Sequence, residues 1–353
     1  MEYKLECPGF FLRTETCAGP VSRFDEAALA PDRQCLALEG LPRAEAAALL
    51  VRLTALLREE GMTVRAVPSP DLPGLPDALV LGSGLLILPE QLLTSPDARA
   101  AAWRLPLSLP HPDRAARSQA ALLRDCRDRL LSQGRLYLLT GAAAREECRQ
   151  AVRQDADPRK IRRLGERLIA QEFPRGGTGG IREEFLTAIG AAGQQIAGSF
   201  PEGWRILRLE DPYGAFAPEL LTQLSATARE RRLEQILSRC PLSSDHLPEH
   251  LFLPGLGLGF VTSNHFHTLP DTPDRVINAR RFVSAACLRE EKTLLLDRKR
   301  LQRQSLAGAA RSFGEAGALD RELDTLLLPL PTDYDPERAA GVLYGRVREL
   351  EGL

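Results

Sequence analysis

Two apolar runs of eleven residues, Ala78 to Leu88 and Leu251 to Val261, limit what this chain can become more than any other feature. Each is too apolar to lie on a surface, and each falls short of the roughly 18 residues needed to span a bilayer. Neither alternates polar with apolar residues, so both read as strands buried on two faces of a parallel sheet. Such a sheet needs helices on its faces.

The flanking segments supply them. Before the first run, CLALE (Cys35 to Glu39) reads as a short strand. Ala44 to Glu60, after Pro42, then places Leu49, Leu50, Leu53, Leu56 and Leu57 on one helical stripe. Gly61 supplies a stop, and Thr63 to Val67 a second strand. The second half repeats this order: Arg205 to Glu210 (RILRLE) as a strand, DPYG as a turn, Pro218 to Arg232 as a helix, then LEQILSRC and the second run. Pro42 and Pro212 stand 170 residues apart, Gly84 and Gly257 stand 173 apart, and Gly141 and Gly317, in the similar stretches LLTGAAAREE and SFGEAGALDRE, stand 176 apart. Three landmarks in order at nearly one offset indicate an internal repeat with a boundary near Asp157, dividing the chain into units 1–156 and 157–353.

Composition narrows the function. The chain has 353 residues, 44% hydrophobic, with 46 Lys or Arg against 47 Asp or Glu. Such balance does not point to a nucleic-acid partner, and 5% aromatic residues leave little for base stacking. The start, MEYKLECPGF, lacks a signal-peptide core, and the seven cysteines show no Cys-x-x-Cys pair, so a soluble cytoplasmic protein with reduced thiols and no membrane partner is expected. Only four basic residues are lysines (Lys4, Lys160, Lys292, Lys299).

This order of landmarks resembles a family of uncharacterised bacterial proteins built from two tandem P-loop domains, nucleotide kinase-like or ATPase. Each half of that family opens on a stretch like H-x-F-A-x-x-x-T-x-x-G-F. A strand, a G-x-x-x-x-G-K-[ST] loop and a helix follow, then a strand ending near Cys-Ser and a P-E-L-G-V-A-I strand with Asp after it. Here FFLRTETCAGP near Phe10, with Thr16 and Gly19, looks like the first opening, and LIAQEFPRGGTGG near Leu168 looks like the second. LFLPGLGLGFVTSNHFH matches the P-E-L-G segment without a gap, keeping Pro254, Gly257 and His267. The resemblance implies an α/β fold of two P-loop NTPase-like three-layer domains with parallel sheets, each trailed by a helical pair.

It also implies that the phosphate chemistry is gone. A phosphate loop cradles its anion in backbone N–H groups, neutralises charge with Lys and holds Mg²⁺ with Ser or Thr. In EGLPRAEAAAL the resemblance puts Gly40 on the first Gly and Pro42 on the family's Pro. Glu45 then falls on the second Gly, Ala46 on the Lys and Ala47 on the Ser/Thr. In LEDPYGAFAPELL it puts Glu210 on the first Gly, Phe216 on the Lys and Ala217 on the Ser/Thr, with Asp211 adding negative charge. Pro89 and Thr262 replace the acid after the buried strand. The expected protein is therefore a degenerate P-loop chain without nucleoside triphosphate hydrolysis, acting by binding to a protein partner or by self-association. The alternative is a weak nucleotide-dependent ATPase or kinase-like enzyme, binding ATP with Mg²⁺ through arginines such as Arg43. Any surviving site falls at Gly40, Pro42 and Arg43, or at Pro212, Tyr213 and Gly214, where α/β sheets bind ligands.

Two further constellations carry less. His246, His250, His265 and His267 have spacings compatible with zinc, but they flank one apolar run, and an eleven-residue strand would hold the pairs about 35 Å apart unless the chain bends at Pro254. Cys240 has no histidine set beside it as a Cys-His nucleophile, so it reads as a structural thiol.

Overall fold

The structure, a computed structural model, describes residues 9–108, 112–198, 200, 203–243, 247–264 and 273–352. The first half opens on a hairpin, β1 (Arg13–Thr16) with β2 (Gly19–Ser22), followed by α1 (Phe24–Ala28). β3 (Gln34–Glu39) then leads into α2 (Arg43–Glu59). β4 (Val64–Pro68), β5 (Pro76–Leu81), β6 (Leu85–Pro89), α3 (Pro96–Ala101) and β7 (Trp103–Pro106) complete a sheet in the order β4-β5-β6-β3-β7. The predicted leucine stripe of α2 is seated: Leu49, Leu50, Leu53 and Leu57 are fully buried against this sheet. α4 (Arg114–Arg153) runs on for 40 residues, about 60 Å at the helical rise.

α5 (Pro158–Glu172) follows α4, and the second half then opens on an edge strand β8 (Ile181–Glu183) and a hairpin of β9 (Thr187–Gly190) with β10 (Gly193–Ile196). β11 (Arg205–Glu210), α6 (Ala217–Glu230), β12 (Gln235–Arg239), β13 (Pro248–Leu253), β14 (Leu258–Ser263) and β15 (Arg275–Asn278) follow, then α7 (Ala285–Glu290), α8 (Lys292–Leu327) and α9 (Pro336–Glu351). The second sheet has the order β15-β11-β14-β13-β12-β8. Apart from β8, this repeats the first sheet strand for strand. The repeat is tightest at Phe11 and Phe185, 174 residues apart, whose N–H groups donate to each other's carbonyls at 2.8 and 2.9 Å. A pseudo-two-fold axis therefore passes between them.

Three sequence expectations are corrected. The sheets are mixed and not all parallel: β3 runs parallel to β6 and β7, and β11 to β14 and β15, but β5 and β13 run antiparallel to both their neighbours. The cause lies in the apolar runs, each of which is a hairpin. The first turns at Gly82–Gly84, where Gly84 has φ +96°, and the second at Pro254–Gly257, where Gly257 has φ +53°. An added Cβ on Gly84 would lie 2.7 Å from the Asp32 carbonyl oxygen, so the turn requires glycine. The second opening motif is also displaced. Leu168 belongs to α5, whereas the counterpart of Phe11–Gly19 (FLRTETCAG) is Phe185–Gly193 (FLTAIGAAG), with its own hairpin.

The third correction concerns the helical pairs. α4 and α8 pack antiparallel across the axis: Gly134 meets Phe313, Tyr137 meets Gly308 and Gly141 meets Ser305. The shorter helices then cross over. α5 buries Ile161, Leu164 and Leu168 against Leu220, Leu221 and Leu224 of α6 in the second half, while α9 buries Leu343 and Val347 against α2 in the first. Each long helix thus carries the next one to the other sheet.

Candidate functional site

Each half has one strand–loop–helix junction at the end of a strand flanked by two parallel neighbours. Gly40, Pro42 and Arg43 come together at the β3–α2 junction, and Pro212, Tyr213 and Gly214 at the β11–α6 junction. In the first, Gly40 has φ +82°, and an added Cβ would sit 2.0 Å from the Ser108 carbonyl oxygen, so the chain passes too close for any other residue. Pro42 caps α2 without a side-chain acceptor. Asp324 of α8 supplies one instead, its Oδ2 accepting the Arg43 N–H at 3.0 Å. Burial raises the Asp324 carboxyl above its usual range, opposed by that N–H and by the Arg43 charge.

The Arg43 side chain is taken up as well. Its guanidinium donates to Asp71 at 3.3 Å and to Asp77 at 3.2 Å. Arg13 joins the same carboxylates at 2.5 Å each, and the Ala191 N–H of the β9–β10 turn donates to Asp71 at 2.8 Å. Burial would lift the Asp71 carboxyl, yet Arg13, Arg43 and the Ala191 N–H outweigh it and hold it at about 2. This network ties the first junction to the second half's hairpin. Ala46 and Ala47, which the resemblance sets at the Lys and Ser/Thr places, are buried near the start of α2.

The second junction is closed more completely. Asp211, 2% exposed, turns its carboxylate inward over the loop. Its Oδ1 accepts the N–H groups of Tyr213, Gly214 and Ala215 at 3.4, 3.0 and 3.3 Å, and its Oδ2 those of Phe216 and Ala217, both at 2.8 Å. Those backbone donors, at a helix N-terminus, are where a phosphate would sit. Phe216, which the resemblance sets at the Lys position, stacks on Phe282 at 4.4 Å and 10°. Beside the loop, Arg145 from α4 donates to the Cys240 sulfur and, at 3.3 Å, to Glu249, which accepts the Thr187 hydroxyl at 3.1 Å. Burial pushes the Cys240 thiol up to about 12, Arg145 pulling the other way, so no thiolate forms there near neutrality. The space left among Arg145, Gly214, Cys240 and Ser243 is about 20 Å³, the room of a single water.

Sequence reasoning missed this acid pair. Asp77 and Glu249 are both 3% exposed and occupy equivalent places, the second residues of β5 and β13, each held by an arginine. A signal was present: Leu75-Pro76-Asp77 and Leu247-Pro248-Glu249 stand 172 residues apart. The distance argument against zinc falls, because the chain bends at Pro254 into a hairpin and the two ends of the second run return to one side. His246, His265 and His267 lie outside the described residues. His250 is fully buried, its Nδ1 accepting the Thr262 N–H at 3.2 Å. No group of three or more His, Cys, Asp or Glu that could hold a metal occurs among the described residues. No helix among them is long and apolar enough to cross a membrane.

No protein-family profile, curated protein or solved structure matches the chain.

Proposed function

We propose that each half is a P-loop-type unit whose anion nest is filled by the protein's own carboxylates, and that the chain acts by binding or assembly and not by hydrolysing a nucleoside triphosphate. The observation that carries this reading is the Asp211 carboxylate on five backbone N–H groups at the start of α6. A carboxylate held there repels the phosphate that the same donors would otherwise attract. Asp324 at the Arg43 N–H supports the same reading in the first half. The surroundings support the P-loop parentage: β3 and β11 each lie between two parallel strands and feed a helix through a glycine turn, and the reversed strands β5 and β13 do not touch either of them. Phosphoryl transfer depends on positioned cation and metal, and neither junction offers a Lys or a Ser/Thr at the start of its helix.

The arginine-substituted enzyme finds no support at Arg43, whose guanidinium already serves Asp71 and Asp77. Thermal melts with ATP and GTP, with and without Mg²⁺, together with a phosphate-release assay, test the proposal. No shift and no turnover are expected. Turnover abolished by changing Pro42 and Arg43, or Pro212 and Gly214, refutes it.

A further inference from the structure

The crossed helices α5 and α9 occupy equivalent places, yet their outer faces differ. α9 carries Arg338, Arg346 and Arg348 against Glu337, Glu349 and Glu351. α5 carries Arg159, Lys160, Arg162, Arg163 and Arg167 against Glu166 and Glu172. Glu172 is engaged with Arg205 at 2.8 Å and Lys160 with Asp157 at 3.6 Å. Among the described residues Arg159, Arg162, Arg163 and Arg167 are exposed and have no ion-pair partner. A near-neutral chain has therefore gathered unneutralised charge on one helix.

The spacing is regular. Arg159, Arg163 and Arg167 recur every fourth residue, about 6 Å apart along the axis, with Arg162 beside them. Arg231 donates to the Phe173 carbonyl at 2.7 Å, which brings the end of α6 against the end of α5, and the Arg232 carbonyl lies against Gly177, so two further exposed arginines, Arg175 and Arg232, belong to the segments just beyond that end. α5 itself is about 22 Å long.

We infer that this face binds the phosphate backbone of a nucleic-acid duplex without reading its sequence. Guanidinium forks suit phosphate oxygens, and a row at this pitch can meet several along one strand. The face has little else to offer. The apolar side of α5 is spent on α6, so no hydrophobic centre remains for a protein interface and none to enter a bilayer. No aromatic residue lies on α5 to stack an unpaired base. The inference does not depend on the state of the junction loops.

Fluorescence anisotropy of the full chain with a 20-base-pair duplex tests it. Four to five phosphate contacts predict that log Kd rises with log salt at a slope of about 4, a loss on the order of 100-fold between 50 and 200 mM. The variant Arg159→Gln/Arg162→Gln/Arg163→Gln/Arg167→Gln should bind about 100-fold more weakly at 50 mM salt with a slope near zero. Arg338→Gln on α9 should change nothing, and Glu166→Gln, which removes a carboxylate from the row, should bind more tightly. If the quadruple variant loses helicity, Arg163→Glu alone must still weaken binding. Absence of duplex binding at 50 mM salt, or equal binding by the charge variants, overturns the inference. So does tighter binding of phosphatidylserine vesicles or polyglutamate at equal charge, which assigns the face to a lipid surface or an acidic protein.

Discussion

Replacing Asp211 by Ala isolates the carboxylate that closes the second junction. Two of its five hydrogen bonds are short, and charge-assisted bonds of that kind contribute about 1.5 kcal/mol each. The three longer bonds share one oxygen and add about 1 kcal/mol together. The expected loss is about 4 kcal/mol, above the upper end of about 2 for an ordinary exposed N-cap, because these donors are buried. At about 2–4 °C per kcal/mol this lowers the melting temperature of the second half by about 8–16 °C. The vacated donors then face an empty nest. Inorganic phosphate binding there at about 1 mM would, at 10 mM, return about 1.4 kcal/mol and raise the melt by about 3–6 °C. Differential scanning fluorimetry of wild type and Asp211→Ala across a phosphate series, ionic strength held constant with chloride, reads both effects. The reasoning fails if Asp211→Ala melts with the wild type, or if phosphate stabilises the wild type as much as the variant.

Two other perturbations address the seam between the halves. Because the Asp71 carboxyl is held at about 2 against an ordinary 3.8, its contribution is complete above about pH 5 and is lost as pH falls through 2. At 1.36 kcal/mol per pH unit it is worth about 2 kcal/mol, so Asp71→Asn should lower neutral-pH stability by that amount and flatten the acid side of the stability profile, followed by tryptophan fluorescence in urea. Gly134→Ala should cost about 1–3 kcal/mol, because the new methyl lies 2.5 Å from the buried Phe313 ring where α4 crosses α8; a melt equal to wild type would mean that the ring moves freely.

Much of the scaffold was legible because its signals are local. The stripe of α2 depends on residues four apart, and RILRLE declares itself as a strand; both lie where the sequence places them. The apolar runs misled for a physical reason. Strands buried on both faces carry no alternation, so eleven apolar residues describe one long strand or two short ones equally well, and only the backbone at Gly84 and Gly257 decides. The crossing of α5 and α9 was hidden because an amphipathic helix shows that it needs a core without showing which one. Asp211 was visible as a charge near a loop. That the charge points inward, onto the donors it was expected to deny to phosphate, is a matter of side-chain direction that spacing does not encode. The paired Asp77 and Glu249 were readable in the Leu-Pro-acid repeat, and went unread because neither falls on the loop.

The crossed helices have a bearing on how the chain comes off the ribosome. The first sheet is complete in sequence by Pro106, but the side chains that cover α2 include Leu343 and Val347, near the opposite end. A nascent first half must therefore wait through the synthesis of about 230 further residues, at roughly 5–20 per second, before its last helix arrives. During that interval Leu49, Leu50 and their neighbours lack part of their shelter, whereas the second half receives α5 before its first sheet strand is made. The halves that look equivalent in space are thus unequal in time, and the vulnerable period belongs to the half that is translated first.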